Sequence, residues 1–250
     1  MSPNRLLTAK EIIAQFDRST LDEEEWVYLN GQARRFEFLL ALVDELREEL
    51  GLDPAGRSMR LLDVGPSFQT ELFRRLYPEA VVTTLGLEPS AVSVARRGDK
   101  HITFDLNDAF YPEKWPEVDP HPLVVMAEVI EHLYTSPVTV LRCVATWLEP
   151  SGLLVLQTPN AASLFKRLRL LVGRHPYDPI RETRTNPGHF REYTLTELLG
   201  AVNAAGLEVV RWSRHNYIDS PTLKGRFYKA TRNVLPEPVR QGITMVLRRA

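Results

Sequence analysis

The stretch Arg60-Leu-Leu-Asp-Val-Gly-Pro-Ser-Phe-Gln-Thr-Glu-Leu-Phe73 constrains the chain more than any other. Leu61, Leu62 and Val64 read as a short strand of a parallel sheet, where both faces are covered and the apolar run is nearly continuous. Gly65 allows a tight turn and close backbone approach, and Thr70 with Glu71 suits the N-terminus of a helix beginning near Thr70. Strand, turn and helix in that order aim backbone N–H groups at a bound ligand. Pro66, Ser67 and Gln69 stand where a Gly-x-Gly-x-x-Gly loop would carry its later glycines, so a phosphate-hugging loop is not expected and the ligand is predicted to lack a pyrophosphate.

Acidic residues close the next two apolar runs. Val81 to Leu87 ends in Glu88, about twenty residues beyond the turn, the separation at which a carboxylate meets ribose hydroxyls. Ile102 to Phe104 ends in Asp105. Gly65, Glu88 and Asp105 would then share the carboxyl edge of a parallel sheet, where open α/β folds bind ligands. Beyond them, short apolar runs alternate with helical patterns: helices over about 70–77, 89–97, 137–148 and 195–205, strands at 80–87, 101–105, 123–127, 153–156, 207–212 and 242–247. This alternation predicts an α/β fold with helices on both faces of the sheet.

These residues carry a family resemblance. Leu61-Leu-Asp-Val-Gly65, Leu85-Gly-Leu-Glu-Pro-Ser90, Phe104-Asp105 and Gly152-Leu-Leu-Val-Leu-Gln-Thr-Pro-Asn160 resemble class I S-adenosylmethionine-dependent methyltransferases over about residues 57–215. The resemblance implies a Rossmann-like fold, a mostly parallel seven-stranded sheet whose last strand inserts antiparallel, and S-adenosylmethionine as cofactor. Gly65 and Glu88 would bind that cofactor, Asp105 would accept from its adenine amino group beside an apolar contact from Leu106, and Asp63 would support the loop.

Residues 1–55 read as a helical cap on a 56–250 domain that carries an acceptor-site insertion at about 158–193. On the long N-terminal helix Phe36, Leu39, Leu40, Val43, Leu46 and Leu50 form an apolar stripe opposite Arg35, Glu37 and Asp44. The resemblance implies that such a cap can cover the cofactor, with Tyr28, Arg34 or Arg35 reaching its methionine carboxylate. The insertion contains the amphipathic basic piece Leu164-Phe-Lys-Arg-Leu-Arg-Leu-Leu-Val172, read as a lid that gates the acceptor or as a site for an anionic ligand or surface.

The most specific local feature is Glu128-Val-Ile-Glu131-His132, expected at the end of the fourth strand. A helical turn starting there would put Glu128, Glu131 and His132 at i, i+3 and i+4 on one face, able with His189 to hold a divalent cation. Such oxygen-rich ligation suits Mg or Mn better than a closed zinc site. Without an ion, His132 and His189 are candidate general bases; Glu131, His132 and His189 are the catalytic candidates. With His189-Phe-Arg-Glu-Tyr-Thr194, the turn resembles ubiquinone-pathway O-methyltransferases and small-RNA 3′-terminal 2′-O-methyltransferases, and in the latter the two glutamates and two histidines ligate magnesium. The insertion resembles more closely the methyltransferases of sugar and secondary-metabolite modification. The expected function is therefore O-methylation of a small-molecule hydroxyl. RNA 3′-terminal methylation and a non-catalytic S-adenosylmethionine-binding partner stand as alternatives.

Charge argues against the RNA alternative, since a net charge of -1 gives no global attraction to nucleic acid. The single cysteine, Cys143, excludes an intrachain disulfide and lies on the apolar side of a helix. No apolar run approaches the roughly twenty residues of a membrane span, and no signal pattern opens the chain, which predicts a cytoplasmic protein. Its oligomeric state is not legible.

Overall fold

In the computed structural model the apolar run at the centre of the chain forms β1 (Arg60–Val64), flanked by parallel β2 (Val81–Gly86) and β4 (His121–Ala127). The structure describes residues 6–53, 55, 57–87, 100–183, 187–219, 222–232 and 234–249. β3 (His101–Thr103), β5 (Leu148–Pro159), β6 (Leu207–His215) and β7 (Gly242–Arg249) complete one sheet of order β3-β2-β1-β4-β5-β7-β6. The last strand inserts between β5 and β6, antiparallel to both. The order of the parallel strands reverses between β1 and β4, so the carboxyl ends of these two strands open the crevice in which such sheets bind ligands.

Strand residues alternate between two cores. Leu61, Leu123, Val125 and Val155 face α2 (Glu23–Glu49) and α3 (Phe68–Leu76), together with Phe36, Leu39, Val43 and Phe73. Leu62, Val64, Met126 and Leu156 face α4 (Pro137–Ala145) and α6 (Leu195–Ala204). The long α2 begins at a capping box in which Asp22 accepts from the Glu25 N–H while Glu25 accepts from that of Asp22. Its apolar stripe lies directly on the sheet, behind the short α1 (Ala9–Ile13).

Several elements differ from expectation. The helix after β1 starts at Phe68, capped at Ser67, and not near Thr70, whose hydroxyl accepts from the Ser67 N–H. β5 starts at Leu148, five residues early, with a register irregularity across 149–152. Gly152 therefore does not open the strand; a Cβ there would lie 2.8 Å from the His121 carbonyl oxygen, so only glycine lets the irregular segment close on β4. The strand expected at 101–105 stops at Thr103, because Asp105 caps a 3-10 turn over Leu106–Phe110. The basic piece forms α5 (Leu164–Leu171), and α7 (Leu223–Thr231) had no sequence signal, its Gly225 lying inside a short helix. Glu88 and the helix expected at 89–97 lie outside the described residues. Cys143 is wholly buried, and burial pushes its thiol up to about 12, which fits packing and not nucleophilic chemistry.

Candidate active site at the β1/β4 crevice

The loop after β1 is braced by side chains where a glycine-rich loop would be shaped by backbone alone. Asp63, wholly buried at the end of β1, accepts from the Thr70 hydroxyl and from Gln69 Nε2 at 3.4 Å, and Gln69 also donates to the Gly65 carbonyl at 3.3 Å. Phe68 turns the other way and packs on Phe16, Tyr28 and Phe36, with ring centroids 4.9, 6.1 and 6.4 Å away, which locks the loop to α2. Burial raises the Asp63 carboxyl to about 7, against the opposing pull of Thr70, Gln69 and Arg74. Between pH 3.8 and about 7 the native chain therefore holds a proton that the unfolded chain releases; stability from this group is complete below 3.8 and lost as pH rises to about 7. Asn at this position still accepts from Thr70 but cannot ionise. Urea midpoints of Asp63→Asn should decline less than those of the parent over this interval, and parallel profiles would refute the assignment.

Asp105 is half-buried, and its Oδ1 accepts from the backbone N–H and the side-chain amide of Asn107, at 2.9 and 3.0 Å. Leu106 beside it is buried in the sheet core. Arg34 and Arg35, adjacent in sequence, part company. Arg34 pairs with Asp219 at 3.3 Å, whereas Arg35, expected on the polar side of α2, is wholly buried. Its guanidinium donates to Gln32 Oε1 at 2.9 Å and to the Tyr28 hydroxyl at 3.2 Å. Burial opposes its charge, but Tyr28, Glu128, Tyr217 and Glu131 around it hold the group above its ordinary value. The buried cation balances the carboxylates at the end of β4.

At that end the backbone does not make the expected helical turn. Glu128 sits at φ 58, a left-handed conformation that costs a non-glycine residue on the order of 1–2 kcal/mol, while its N–H completes the ladder to the Gln157 carbonyl at 2.9 Å. A 3-10 turn over Ile130–His132 follows. Glu131, His132 and His189 thereby bring one ligand atom each within 4.8 Å of one another, and among the described residues this group does not include Glu128. The Glu128 carboxylate instead feels Arg35 and Lys166; both pull against the burial that raises its pKa.

His189 reaches the site because residues 188–193 are tied to the β4 turn. Phe190 and Arg191 N–H donate to the Glu131 carbonyl at 2.9 and 3.2 Å, and Tyr193 bridges to Asn160 after β5. His132 Nδ1–H donates to the Gly188 carbonyl at 3.0 Å, and His189 Nδ1–H donates to Glu192 Oε1 at 2.9 Å. The Nδ1–H of each ring is thus committed, which leaves each Nε2 as the basic nitrogen. Burial lowers both imidazoles, His189 to about 4 with a further push from His132, so both are neutral near pH 7. The rings meet edge to face, centroids 4.8 Å apart. Glu131 lies beside them, wholly buried; Oε2 accepts from the Thr158 hydroxyl at 2.9 Å and Oε1 has no hydrogen-bond partner among the described residues. Burial and then Glu128 raise its pKa strongly.

Glu192 is the site residue that sequence reasoning passed over. It is buried, orients His189 and pairs with Lys166 of α5, so one carboxylate joins the acceptor-side histidine to the insertion helix. Its place three residues after His189 was the available signal. Glu128, His132, His189, Glu192, Lys166 and Tyr28 line a cavity of about 570 Å³, within the range of small-molecule sites.

A seven-stranded sheet of this order, with an antiparallel β7 and a crevice at Gly65 and Glu128, defines a Rossmann-like class I methyltransferase fold. The chain belongs to the methyltransferase domain family, which matches residues 32–211. It is 28% identical over 158 residues to a Mycolicibacterium smegmatis protein named a probable S-adenosylmethionine-dependent methyltransferase, a match covering 62% of this chain and 53% of that protein. The chain thus matches about half the length of that curated relative. Among solved structures, 1,6-didemethyltoxoflavin-N1-methyltransferase of Burkholderia thailandensis shares the fold at a TM-score of 0.54 and 16% identity, over 96% of this chain and 87% of that one. A Galdieria sulphuraria protein described as a sarcosine dimethylglycine methyltransferase does so at 0.52 and 13% identity, over 84% and 86%.

Proposed function

We propose that the protein transfers the methyl group of S-adenosylmethionine to a hydroxyl of a small molecule held in the cavity beside His132 and His189. The observation that carries this reading is the pair of neutral imidazoles, each with Nδ1–H committed and Nε2 basic, against a buried carboxyl. An amine acceptor that arrives neutral needs no base to attack, whereas an alcohol must lose a proton. When bound, S-adenosylmethionine would supply the methyl on a sulfonium whose sulfur keeps the carbon–sulfur electron pair as the acceptor oxygen takes the methyl, and the hydroxyl proton would pass to a histidine Nε2. Because the cofactor carries the activated group, the protein's share is alignment and proton removal. Gly65, Glu88, Asp105 and Leu106 are proposed as cofactor contacts and Asp63 as the brace of their loop; residues 1–55 act as the cap and 158–193 as the acceptor insertion.

The same residues fit a divalent ion. Glu131 Oε1 is buried without a partner among the described residues, and ring nitrogens whose Nδ1–H is held by a carbonyl or a carboxylate are arranged as metal-binding histidines usually are. Glu131, His132 and His189 would hold Mg or Mn, with Glu128 across the cavity. A bound ion would lower the pKa of the acceptor hydroxyl. The test is mass-spectrometric screening for a gain of one methyl across phenols, glycan precursors and small RNA. Transfer to a small hydroxyl is the expected result, with cofactor affinity unchanged by chelation; activity lost on exhaustive chelation and restored by Mg or Mn would assign the ion the activating role. Transfer to RNA alone would overturn the substrate class; full activity after chelation would remove the ion and leave the histidine base.

A further inference from the structure

Two helices frame the mouth of the cavity and carry an outer surface that no described residue covers. Lys166 and Arg169 of α5 and Gly225 and Tyr228 of α7 line the cavity, and the Phe165 ring joins the helices, 5.4 Å from Phe227 and 5.2 Å from Tyr228. Outward, Leu170, Leu171 and Val172 end α5 at 59%, 81% and 68% exposure, and Leu223 on α7 reaches 83%. Single exposed apolar side chains need no explanation; Leu170, Leu171 and Val172 in a row, beside a second apolar helix face, mark an interaction surface. The two helices themselves carry charge of one sign, and Asp178, the first acid after α5, is paired with Arg169 at 3.1 Å. No Asp or Glu occurs in residues 161–177 or 222–236, while Arg167, Arg174, Arg226 and Lys229 are exposed there.

We propose that this α5/α7 face docks on an anionic lipid surface. Side chains this exposed protrude, and a headgroup layer accepts protruding leucines while its phosphates take the surrounding arginines and lysine. The proposed attachment is peripheral, through protruding side chains; among the described residues no helix is long and apolar enough to cross a membrane. Docked this way, the cavity mouth between α5 and α7 faces the lipid, and an acceptor embedded in or tethered to the bilayer reaches His132 and His189 without crossing bulk water. Charge complementarity selects lipid over a second copy of the chain, whose identical face would repel this one.

Co-sedimentation of the full chain with vesicles tests the proposal. Binding is expected to vesicles containing phosphatidylglycerol, not to pure phosphatidylcholine, and to weaken with added salt. Arg167→Ala and Arg174→Ala should each lower partitioning roughly fivefold. Leu171→Glu should reduce it to the phosphatidylcholine level while the melting temperature stays that of the parent, since this side chain is mostly in solvent. Failure of the parent protein to sediment, equal sedimentation with both vesicles, or binding unaffected by Leu171→Glu would each overturn the proposal. Self-association that Leu171→Glu abolishes, without vesicle binding, would reassign the face to a contact between copies.

Discussion

Removing the His189 imidazole should lower turnover by about 10²–10⁴-fold, the range a positioned general base contributes, and leave S-adenosylmethionine affinity unchanged. The ring is oriented by Glu192, itself paired with Lys166, and meets His132 edge to face. Glu192→Gln keeps an acceptor for Nδ1–H but loses the charge, so its effect should fall between the parent and His189→Ala. Single-turnover assays against calorimetric cofactor binding separate the two quantities. The pH profile adds a sign. Both histidines are held below the ordinary value of 6.5, His189 at about 4, so kcat/KM of the metal-free enzyme should stay level below pH 6.5, where an unperturbed histidine would already fail. The same depression makes the unfolded chain bind more protons between those limits; this contribution to stability is complete above 6.5 and lost as pH falls toward about 4. His189→Ala should flatten that acid decline. An acid limb centred on the ordinary histidine value, or a variant with parental turnover, would remove His189 from the chemistry.

Hydrophobic period carried most of the fold. Leu61 to Val64 and Leu123 to Ala127 are buried on both sides, and a nearly continuous apolar run, broken in β1 only by Asp63, is the signature of such strands. The stripe from Phe36 to Leu46 likewise announced α2. Where a single residue decides the backbone, periodicity was silent. Glu128 takes a positive φ that no local pattern requires of a glutamate, and this turns the anticipated row of three ligands into Glu131 and His132 on one side and Glu128 toward Arg35 and Lys166 on the other. Arg35 shows the same limit from the opposite direction: helical spacing put it with the charged residues, and only the tertiary arrangement of Tyr28, Gln157 and the β4 carboxylates explains a guanidinium in the core. His189 was legible as a motif, but its approach to His132 depends on hydrogen bonds to the Glu131 and Gly188 carbonyls, which side-chain identity does not encode.

Gly65→Ala should damage folding and cofactor binding together, because this position couples the two halves of the crevice. Its φ of 77 alone costs a residue with a Cβ on the order of 1–2 kcal/mol. The added methyl would also lie 2.3 Å from Val129 Cγ2, a β-branched side chain stiff at χ1 and unable to swing clear. Overpacking of this kind adds about 1–3 kcal/mol. Relief by backbone movement would shift Val129, and with it the strained Glu128 before it and the turn that carries Glu131 and His132. The expected results are a lower melting temperature, weaker S-adenosylmethionine binding and reduced turnover from one methyl group. Val129→Ala in the Gly65→Ala background removes the contact but leaves the φ cost, so it should restore part of the stability that Gly65→Ala loses. A double-mutant cycle on thermal unfolding measures that coupling, expected at about 0.5–3 kcal/mol for residues in contact. Additive effects, with no rescue by Val129→Ala, would show that the β1 loop and the β4 turn act independently.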